Sequence, residues 1–365
     1  MPKILMTSVR PDEQAAIQAY AAAHQIKIST TPKELAEALD LLTDVDGVII
    51  QQRGPVPAHV YPILKQQGIK QITTRTAGFD MIDLTFAHEN GLTVTNVPAY
   101  SPRSVAEFAL MQIFRLLRHT PQVDHQTAAG DFRWAGLQAK EIHSATIGII
   151  GVGRIGGTLA HLLHALGARV LGYDVQPRAE LVGIVEYTTK AELLKHADVV
   201  SLHVDLNPTS ENLLTAADFA LMKSTAGLVN ASRGPVVNTA DLITALKTGV
   251  IAAAALDTVT GEAPVFNQDH RSDQLAAFPQ VQELWQLPNV ILTPHIAFFT
   301  NIAVQNMVDI ALDDVLAILA GQPVANEVKH KQRQVKPKGL PDAVLFNLLS
   351  ASVYVYLVRA MNPGK

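Results

Sequence analysis

The chain contains no cysteine among its 365 residues. This absence excludes disulfide bonds, thiolate metal sites and a cysteine nucleophile. Neither sign of charge predominates, since 29 Lys and Arg against 33 Asp and Glu give a formal net charge of -4 at pH 7. Such a balance indicates neither a nucleic-acid surface nor a polybasic membrane face. We therefore expect a small-molecule ligand rather than nucleic acid or a membrane.

The first residues, MPKILMTSVRPDEQ, lack the basic, apolar and small-residue layout of a signal peptide. A long apolar run is also missing. The nearest is AVLFNLLSASVYVYLV at 343–358, which is interrupted by Asn347 and two serines. This segment is shorter than the roughly 18 residues of a spanning helix. We predict a cytoplasmic protein and assign no function to the tail at 331–365.

Before that tail, apolar runs alternate with helical patterns, which is typical of parallel sheets with helices on both faces. Helical patterns lie near 12–24, 57–67 and 83–89. The strand-like runs are KILMTSV, DGVIIQQ, QITTRTAG and LTVTN, then ATIGII, ARVLGYD, ADVVSLHV, AGLVNAS, AAAALD and NVILTPH. The sequence therefore predicts an α/β protein with two Rossmann-like domains, doubly wound parallel sheets and a cleft between them.

Two long helical patterns set the predicted domain boundaries. One begins after a cap at Ser101 or Ser104 and crosses from the first domain to the second. The other, NIAVQNMVDIALDDVLAILAG, returns to close the core of the first domain. We predict one domain of residues 1–100 plus about 299–330, a second domain of residues 101–298, and the tail.

A phosphate-binding loop is indicated by Gly151, Gly153 and Gly156, which stand in a G-x-G-x-x-G pattern between a strand and a helix. These glycines let the backbone approach a pyrophosphate at the positive end of the helix. Asp174 ends the next strand, where its carboxylate accepts ribose hydroxyls and repels a 2′-phosphate, which favours NAD over NADP. Arg154 lies either near the phosphates or in solvent.

Polar residues follow three later strands. Arg233 follows VNAS, Asp257 follows AAAAL and His295 follows VILTP, with Glu262 shortly after Asp257. The carboxyl ends of parallel strands meet at one edge, where α/β proteins bind ligands. Nothing near Arg233 in sequence is acidic, so its partner is a ligand or a distant residue such as Asp257 or Glu262.

These residue types suit hydride transfer between a nicotinamide and a 2-oxo acid. Arg233 can grip the substrate carboxylate, and His295 can protonate the carbonyl oxygen. Glu262 would favour the imidazolium form of His295, and Asp257 would support Arg233 or the nicotinamide. The chemistry requires no metal, and we interpret His161 and His164 as core or surface histidines.

Seven stretches in this order resemble the D-isomer-specific 2-hydroxyacid dehydrogenases, most closely their bacterial D-lactate dehydrogenase branch. They are RTAGFDMIDL, NVPAYSPRSVAEFAL, FRWAG, GIIGVGRIGG, VNASRGPVVNTADL, LDTVTGE and NVILTPHIAFFT. The resemblance runs from about residue 1 to 330.

The resemblance implies that Arg233, Glu262 and His295 are the catalytic residues. It implies that the backbone N–H groups of Ala77 and Gly78 bind the substrate carboxylate. It assigns NAD contacts to Arg154, Ile155, Asp174, Val204, Ala231, Ser232 and Asp257. It assigns the substrate pocket to Tyr100, Trp134 and Phe298. It also implies a homodimer joined through the cofactor domains.

Two positions depart from the pattern. Ile50 and Gln51 stand where D-lactate dehydrogenases carry a pocket tyrosine, and Asp205 replaces a usual proline near the adenine. The leading hypothesis is reduction of pyruvate to D-lactate, with the D configuration implied by the resemblance alone. One alternative is a D-2-hydroxyisocaproate-type enzyme for bulkier 2-oxo acids, and another is an NADH-sensing, corepressor-like binding protein.

Overall fold

The computed structural model describes residues 1–52 and 54–328. The predicted tail at 331–365 lies outside the described residues. Within them the strands form two parallel sheets, each with helices on both faces. The predicted α/β fold class with doubly wound sheets is therefore confirmed.

The first sheet has five parallel strands in the order β2-β1-β3-β4-β5. Alternate residues point to opposite faces, so Ile4 and Met6 enter one apolar cluster while Leu5 enters the other. The strands are β1 Lys3–Met6, β2 Lys27–Thr30, β3 Gly47–Ile50, β4 Gln71–Thr74 and β5 Thr93–Thr95.

The second sheet has seven parallel strands in the order β12-β11-β10-β9-β6-β7-β8. Its central strands are buried on both faces, which explains their nearly unbroken apolar sequences. The strands are β6 Thr146–Ile150, β7 Arg169–Tyr173, β8 Glu186–Tyr187, β9 Val199–Leu202, β10 Gly227–Asn230, β11 Ala253–Leu256 and β12 Val290–Leu292.

The α-helices connect these strands and cover both sheets. They are α1 Gln14–His24, α2 Val60–Gln66, α3 Leu84–Glu89, α4 Pro102–Leu117, α5 Thr120–Ala128, α6 Arg154–Ala165, α7 Lys190–His196, α8 Ala216–Phe219, α9 Thr239–Lys247, α10 Pro279–Gln286 and α11 Asn301–Leu319. None of the helices in the described part of the chain is long and apolar enough to cross a membrane.

Each sheet has its own pair of apolar layers. Helices α2 and α3 cover one face of the first sheet, and α1 with α11 cover the other. Helix α11 contacts β3 and β4, so the end of the described chain packs on the sheet where the chain began. Helices α4 and α6 cover one face of the second sheet, and α7 to α10 cover the other.

Two strands do not appear among the sequence-predicted ones, and both lie at sheet edges. Strand β2 has the sequence KIST and is largely exposed, so it lacks an apolar pattern. Strand β8 has only two residues. Edge strands of this kind are defined by hydrogen bonds to one neighbour rather than by burial.

Ser101 caps helix α4, since its side chain accepts a hydrogen bond from the Ser104 N–H at 3.0 Å. The sequence left Ser101 and Ser104 as alternative caps. Ser104 instead is buried and donates its hydroxyl to the Ala297 carbonyl at 2.9 Å. Its hydroxyl thereby connects α4 to the segment that follows β12.

A buried ion pair lies beneath the loop that follows β4. Arg75 Nε donates to Glu13 Oε1 at 2.8 Å, and both side chains are fully buried. The Arg75 guanidinium also donates to the carbonyl oxygens of Thr7 and Ser8 at 3.0 and 3.1 Å. These bonds fix the carboxyl ends of β1 and β4 relative to each other.

Glu13→Ala leaves the Arg75 charge buried without its counter-ion. We expect a loss of about 3–5 kcal/mol in the free energy of unfolding, measured by urea denaturation. Glu107→Ala is the control, because its partner Arg103 and Glu107 itself are both exposed on α4; little change is expected there. Equal losses for the two variants would contradict the importance of the buried pair.

Candidate active site

The glycine-rich loop lies at the carboxyl end of β6 and requires glycine at two positions. Gly151 has φ +90°, and a Cβ there would lie 2.4 Å from the His203 carbonyl oxygen. A Cβ on Gly156 would lie 2.1 Å from the carbonyl oxygen of Gly151. These contacts hold the loop tightly against the start of α6.

The start of α6 fits the pyrophosphate of a dinucleotide. Gly153 is its N-cap and supplies no capping side chain, and a Cβ at Gly153 would meet open space. An anion can therefore approach the N–H groups of the first helical turn and the positive end of the helix dipole. Ile155, in that first turn, packs against the core of the second sheet.

Asp174 follows β7 and anchors the same loop. Its Oδ2 accepts from the Val152 N–H at 2.6 Å, and its Oδ1 accepts from the Gln176 N–H at 2.8 Å. Each oxygen keeps further acceptor capacity for a ribose hydroxyl. The carboxylate is thus held in the place that the sequence predicts for adenosine recognition.

The segment after β9 closes the other side of the loop. The Val204 side chain would lie 2.8 Å from a Cβ on Gly151. His203 Nε2 bonds to Ser201 Oγ at 2.9 Å, and burial lowers the pKa of His203 to about 4. His203 is consequently neutral at pH 7.

Asn230, at the end of β10, fixes the turn that carries Arg233. Its Oδ1 accepts from the N–H and the hydroxyl of Ser232 at 3.0 and 2.8 Å, and its Nδ2 donates to the Arg233 carbonyl at 3.0 Å. Ala231 lies half-buried within this turn. Asn230 is a supporting residue that the sequence reasoning did not single out.

The Arg233 guanidinium reaches from the second sheet to the loop after β4. Its Nη1 donates to the Ser232 carbonyl at 2.8 Å, and its Nε lies 3.4 Å from Asp80 Oδ1. A Cβ on Gly78 would lie 1.7 Å from Arg233 Nη2. The ion pair is therefore with Asp80, not with Asp257 or Glu262, the two candidates that the sequence offered.

His295 and Glu262 form a pair. His295 Nδ1 lies 2.6 Å from Glu262 Oε1, and Glu262 Oε2 accepts from the Val259 N–H at 2.9 Å. A carboxylate only accepts, so Nδ1 carries the proton, and Nε2 is the other ring nitrogen available for chemistry. The structure brings these two predicted residues together.

Asp257 fixes the backbone around His295, whose φ is +55°. The carboxylate accepts from Thr293 Oγ1 at 2.6 Å, from Ile296 N–H at 3.0 Å and from Ala297 N–H at 2.8 Å. The Asp257 carbonyl accepts from the His295 N–H at 2.9 Å. Burial raises the pKa of Asp257, and the hydrogen bonds oppose that shift.

Phe298 contacts both the imidazole of His295 and the ring of Tyr100. Phe298 lies edge-on to His295 and to Tyr100, with ring centroids 6.3 and 6.4 Å apart. Burial raises the pKa of Tyr100 to about 12, while nearby Arg233 lowers it and Asp257 raises it. Tyr100 therefore keeps its hydroxyl proton at neutral pH beside the arginine.

The loop after β4 presents its backbone next to Arg233. The Ala77 carbonyl accepts from Asn96 Nδ2 at 2.6 Å, and the Gly78 carbonyl accepts from Thr76 Oγ1 at 2.7 Å. Because the peptide is trans, the Gly78 N–H points away from Asn96. The orientation of that N–H is thus set by the protein before any ligand binds.

Two of the predicted residues have exposed side chains. Trp134 is 88% exposed in the segment between α5 and β6, so it does not line an enclosed pocket of its own chain. Arg154 is exposed, and its Nη1 donates to the Pro98 carbonyl at 3.3 Å. Within residues 1–52 and 54–328, no cluster of three or more His, Asp or Glu side chains could hold a metal ion.

A doubly wound sheet with a dinucleotide loop, an arginine and a carboxylate–histidine pair at one edge defines a nicotinamide-dependent oxidoreductase. Residues 110–297 match the family model described as D-isomer specific 2-hydroxyacid dehydrogenase, NAD binding domain. The chain is 38% identical to a D-2-hydroxyacid dehydrogenase (NAD(+)) of Clostridioides difficile over 331 residues, which covers 89% of this chain and 99% of the relative.

Solved structures agree with this assignment. A D-lactate dehydrogenase from Sporolactobacillus sp. is 52% identical with a TM-score of 0.77, and covers 90% of this chain and 99% of that one. A D-lactate dehydrogenase with NAD+ from Lactobacillus jensenii is 38% identical with a TM-score of 0.80, and covers 90% and 100%. The chain belongs to the D-isomer-specific 2-hydroxyacid dehydrogenase family, and it is an NAD-dependent enzyme.

Glu262→Gln removes the negative charge beside His295 while keeping an oxygen acceptor. The charge that accepts from Nδ1 and stabilises the ring during proton transfer is lost, so kcat/KM for NADH-dependent reduction should fall by about 10-fold or more. The measurement is kcat/KM for a 2-oxo acid at one fixed, near-neutral pH. Glu283→Gln on α10, whose partner Lys247 lies on the surface, is the control. An unchanged kcat/KM for Glu262→Gln would contradict a role for this pair in proton transfer.

Proposed function

We propose that the protein is an NAD-dependent D-lactate dehydrogenase, which reversibly reduces pyruvate to D-lactate. The observation that carries this proposal is the set of charged groups at one edge of the second sheet. Arg233 supplies a fixed positive fork, and His295 paired with Glu262 supplies a proton donor. Both groups lie at the edge of the sheet that holds the dinucleotide loop.

Arg233 binds the substrate carboxylate through its Nη edge, and the Gly78 N–H offers a further donor to the same group. His295, as the imidazolium stabilised by Glu262, gives its proton to the carbonyl oxygen during reduction. It takes that proton back during oxidation of the hydroxy acid. The bound nicotinamide supplies or accepts the hydride. The positive charges of Arg233 and His295 stabilise the developing alkoxide.

The dinucleotide would be held by the loop and strand ends already described. Gly151, Gly153 and Gly156 make room for the pyrophosphate, and Asp174 accepts from the ribose. The other proposed contacts are Arg154, Ile155, Val204, Ala231, Ser232 and Asp257. Residues 1–100 with about 299–330 would form the substrate domain and residues 101–298 the NAD-binding domain. Substrate would then bind in the cleft between them.

Pyruvate is the proposed substrate because the chain is 52% identical to a D-lactate dehydrogenase from Sporolactobacillus sp. over 90% of its length. We expect kcat/KM to be highest for pyruvate when it is compared with 2-oxoisocaproate and phenylpyruvate in NADH oxidation. A large preference for the two bulkier acids would favour the D-2-hydroxyisocaproate alternative. Chiral analysis of the product should give D-lactate, and L-lactate would overturn the proposal.

The NADH-sensing alternative predicts a different result from the same assay. Tight NADH binding without turnover of any 2-oxo acid would support it. The close His295–Glu262 pair favours the enzyme, because a binding protein has no need of a proton donor beside its nicotinamide site.

A homodimer is also proposed, joined through the part of the chain that contains α5 and β6. Phe132 and Trp134 in this segment are 81% and 88% exposed, and two large exposed aromatic residues so close together are typical of an interface. A second copy would also explain why the family resemblance places Trp134 at a pocket that its own chain does not enclose. A cytoplasmic location remains a prediction.

Light scattering during gel filtration should give twice the chain mass of 39.4 kDa. Replacing Phe132 and Trp134 together by serine should shift the protein toward the monomer, because their apolar area no longer drives association. Val182→Ser is the control, since Val182 is 74% exposed on another surface segment. A monomeric wild-type protein would contradict the dimer.

A further inference from the structure

Asp80 contacts the predicted catalytic arginine from the opposite sheet. It lies in the loop after β4, whereas Arg233 follows β10, and 153 residues separate them in sequence. Asp80 Oδ1 lies 3.4 Å from Arg233 Nε, and the two side chains are 43% and 28% exposed. Among the described residues, Asp80 is the carboxylate that forms an ion pair with Arg233.

The guanidinium is held along two of its edges. On one side Nη1 donates to the Ser232 carbonyl at 2.8 Å, a contact within the second sheet. On the other side Nε faces Asp80, a contact with the first sheet. Nη2 passes so close to Gly78 that a side chain at that position would collide with it. The edge formed by Nη2 and the second Nη1 proton is left for a ligand.

We propose that Asp80 is a positioning residue for catalysis, which turns the Nη edge of Arg233 toward the carboxylate of the 2-oxo acid. This inference rests on the proposed function, because it needs a 2-oxo acid as the ligand of Arg233. The contact also joins the two sheets. The orientation of the Arg233 guanidinium therefore depends on the loop of the first sheet lying next to the edge of the second.

The pair differs from the structural ion pair between Arg75 and Glu13. Asp80 and Arg233 are partly exposed and their contact is long, so solvent screens the pair and its contribution to folding is small. A small change in the placement of a substrate-binding fork, in contrast, has a large effect on rate. Removing Asp80 should therefore impair catalysis while leaving stability nearly unchanged.

A competing interpretation predicts the opposite effect of Asp80 on the binding of substrate. Asp80 is an anion close to the place where we expect the substrate carboxylate. If its main effect were to repel or compete with that carboxylate, its removal would strengthen the binding of substrate. The two interpretations are distinguished by the affinity for oxamate, an unreactive analogue of pyruvate.

The experiment compares Asp80→Asn and Asp80→Ala with Asp83→Asn in the holoenzyme. Asp83 caps α3 by accepting from the Thr85 and Phe86 N–H groups, and asparagine also caps helices well. The control therefore removes one charge from the same loop. We expect Asp80→Ala to lower kcat/KM for pyruvate by about 10- to 100-fold, and Asp80→Asn to lower it less, since its amide oxygen can still accept.

Oxamate binding to the NADH complex should weaken in the same order. NADH affinity should stay within about twofold, and the thermal unfolding temperature should match that of the control. Tighter oxamate binding in the Asp80 variants would overturn the proposal in favour of competition. Equal losses in Asp83→Asn would assign the effect to the loop charge in general and would also overturn it.

A double-mutant cycle tests whether Asp80 acts through Arg233. Arg233→Lys removes Nε and the planar fork, so adding Asp80→Asn to it should change kcat/KM by less than about twofold. The same fold-loss in both backgrounds would show independent effects and overturn the inference alone. A wild-type enzyme that neither turns over 2-oxo acids nor binds oxamate would instead refute the proposed function, and this inference with it.

Discussion

The buried carboxylate of Asp257 is the constraint on which the site depends. It accepts three hydrogen bonds from the segment that follows β12, and its own carbonyl accepts from His295. His295 has a left-handed backbone conformation, which costs free energy for a residue with a side chain. The bonds to Asp257 compensate for that cost. They fix the backbone that carries the imidazole, and Glu262 holds the ring through its contact with Nδ1.

The parallel sheets explain why residues so distant in sequence meet. All strands of each sheet run the same way, so Asp174, Arg233, Asp257 and His295 emerge from one edge of the second sheet. The loop with Gly78 and Asp80 emerges from the corresponding edge of the first. The buried apolar strands hold the strand ends of each sheet in place. The polar residues that follow those ends can therefore meet at one site through short loops.

The α/β organisation, the glycine-rich loop before α6 and the pairing of Glu262 with His295 were predictable from the sequence. The catalytic roles of Arg233, Glu262 and His295 stay a prediction. The apolar runs, glycine spacing and polar residues at strand ends are local signals. Asp80 was not predictable as the arginine's partner, because no local pattern connects it to a residue 153 positions away. Asp257 was expected to support Arg233 or the nicotinamide. In the structure its carboxylate accepts from the Thr293 hydroxyl and two backbone N–H groups, and Arg233 pairs with Asp80. Strand β2 was missed because an exposed edge strand carries no apolar alternation.

The neutral state of His203 bears on how titration experiments on this enzyme are interpreted. With a pKa of about 4, this enclosed imidazole keeps one charge state throughout the range in which enzymes of this kind are ordinarily assayed. The contact between β9 and the glycine-rich loop therefore does not change with acidity in that range. An inflection near neutral pH therefore does not come from titration of His203 beneath the glycine-rich loop.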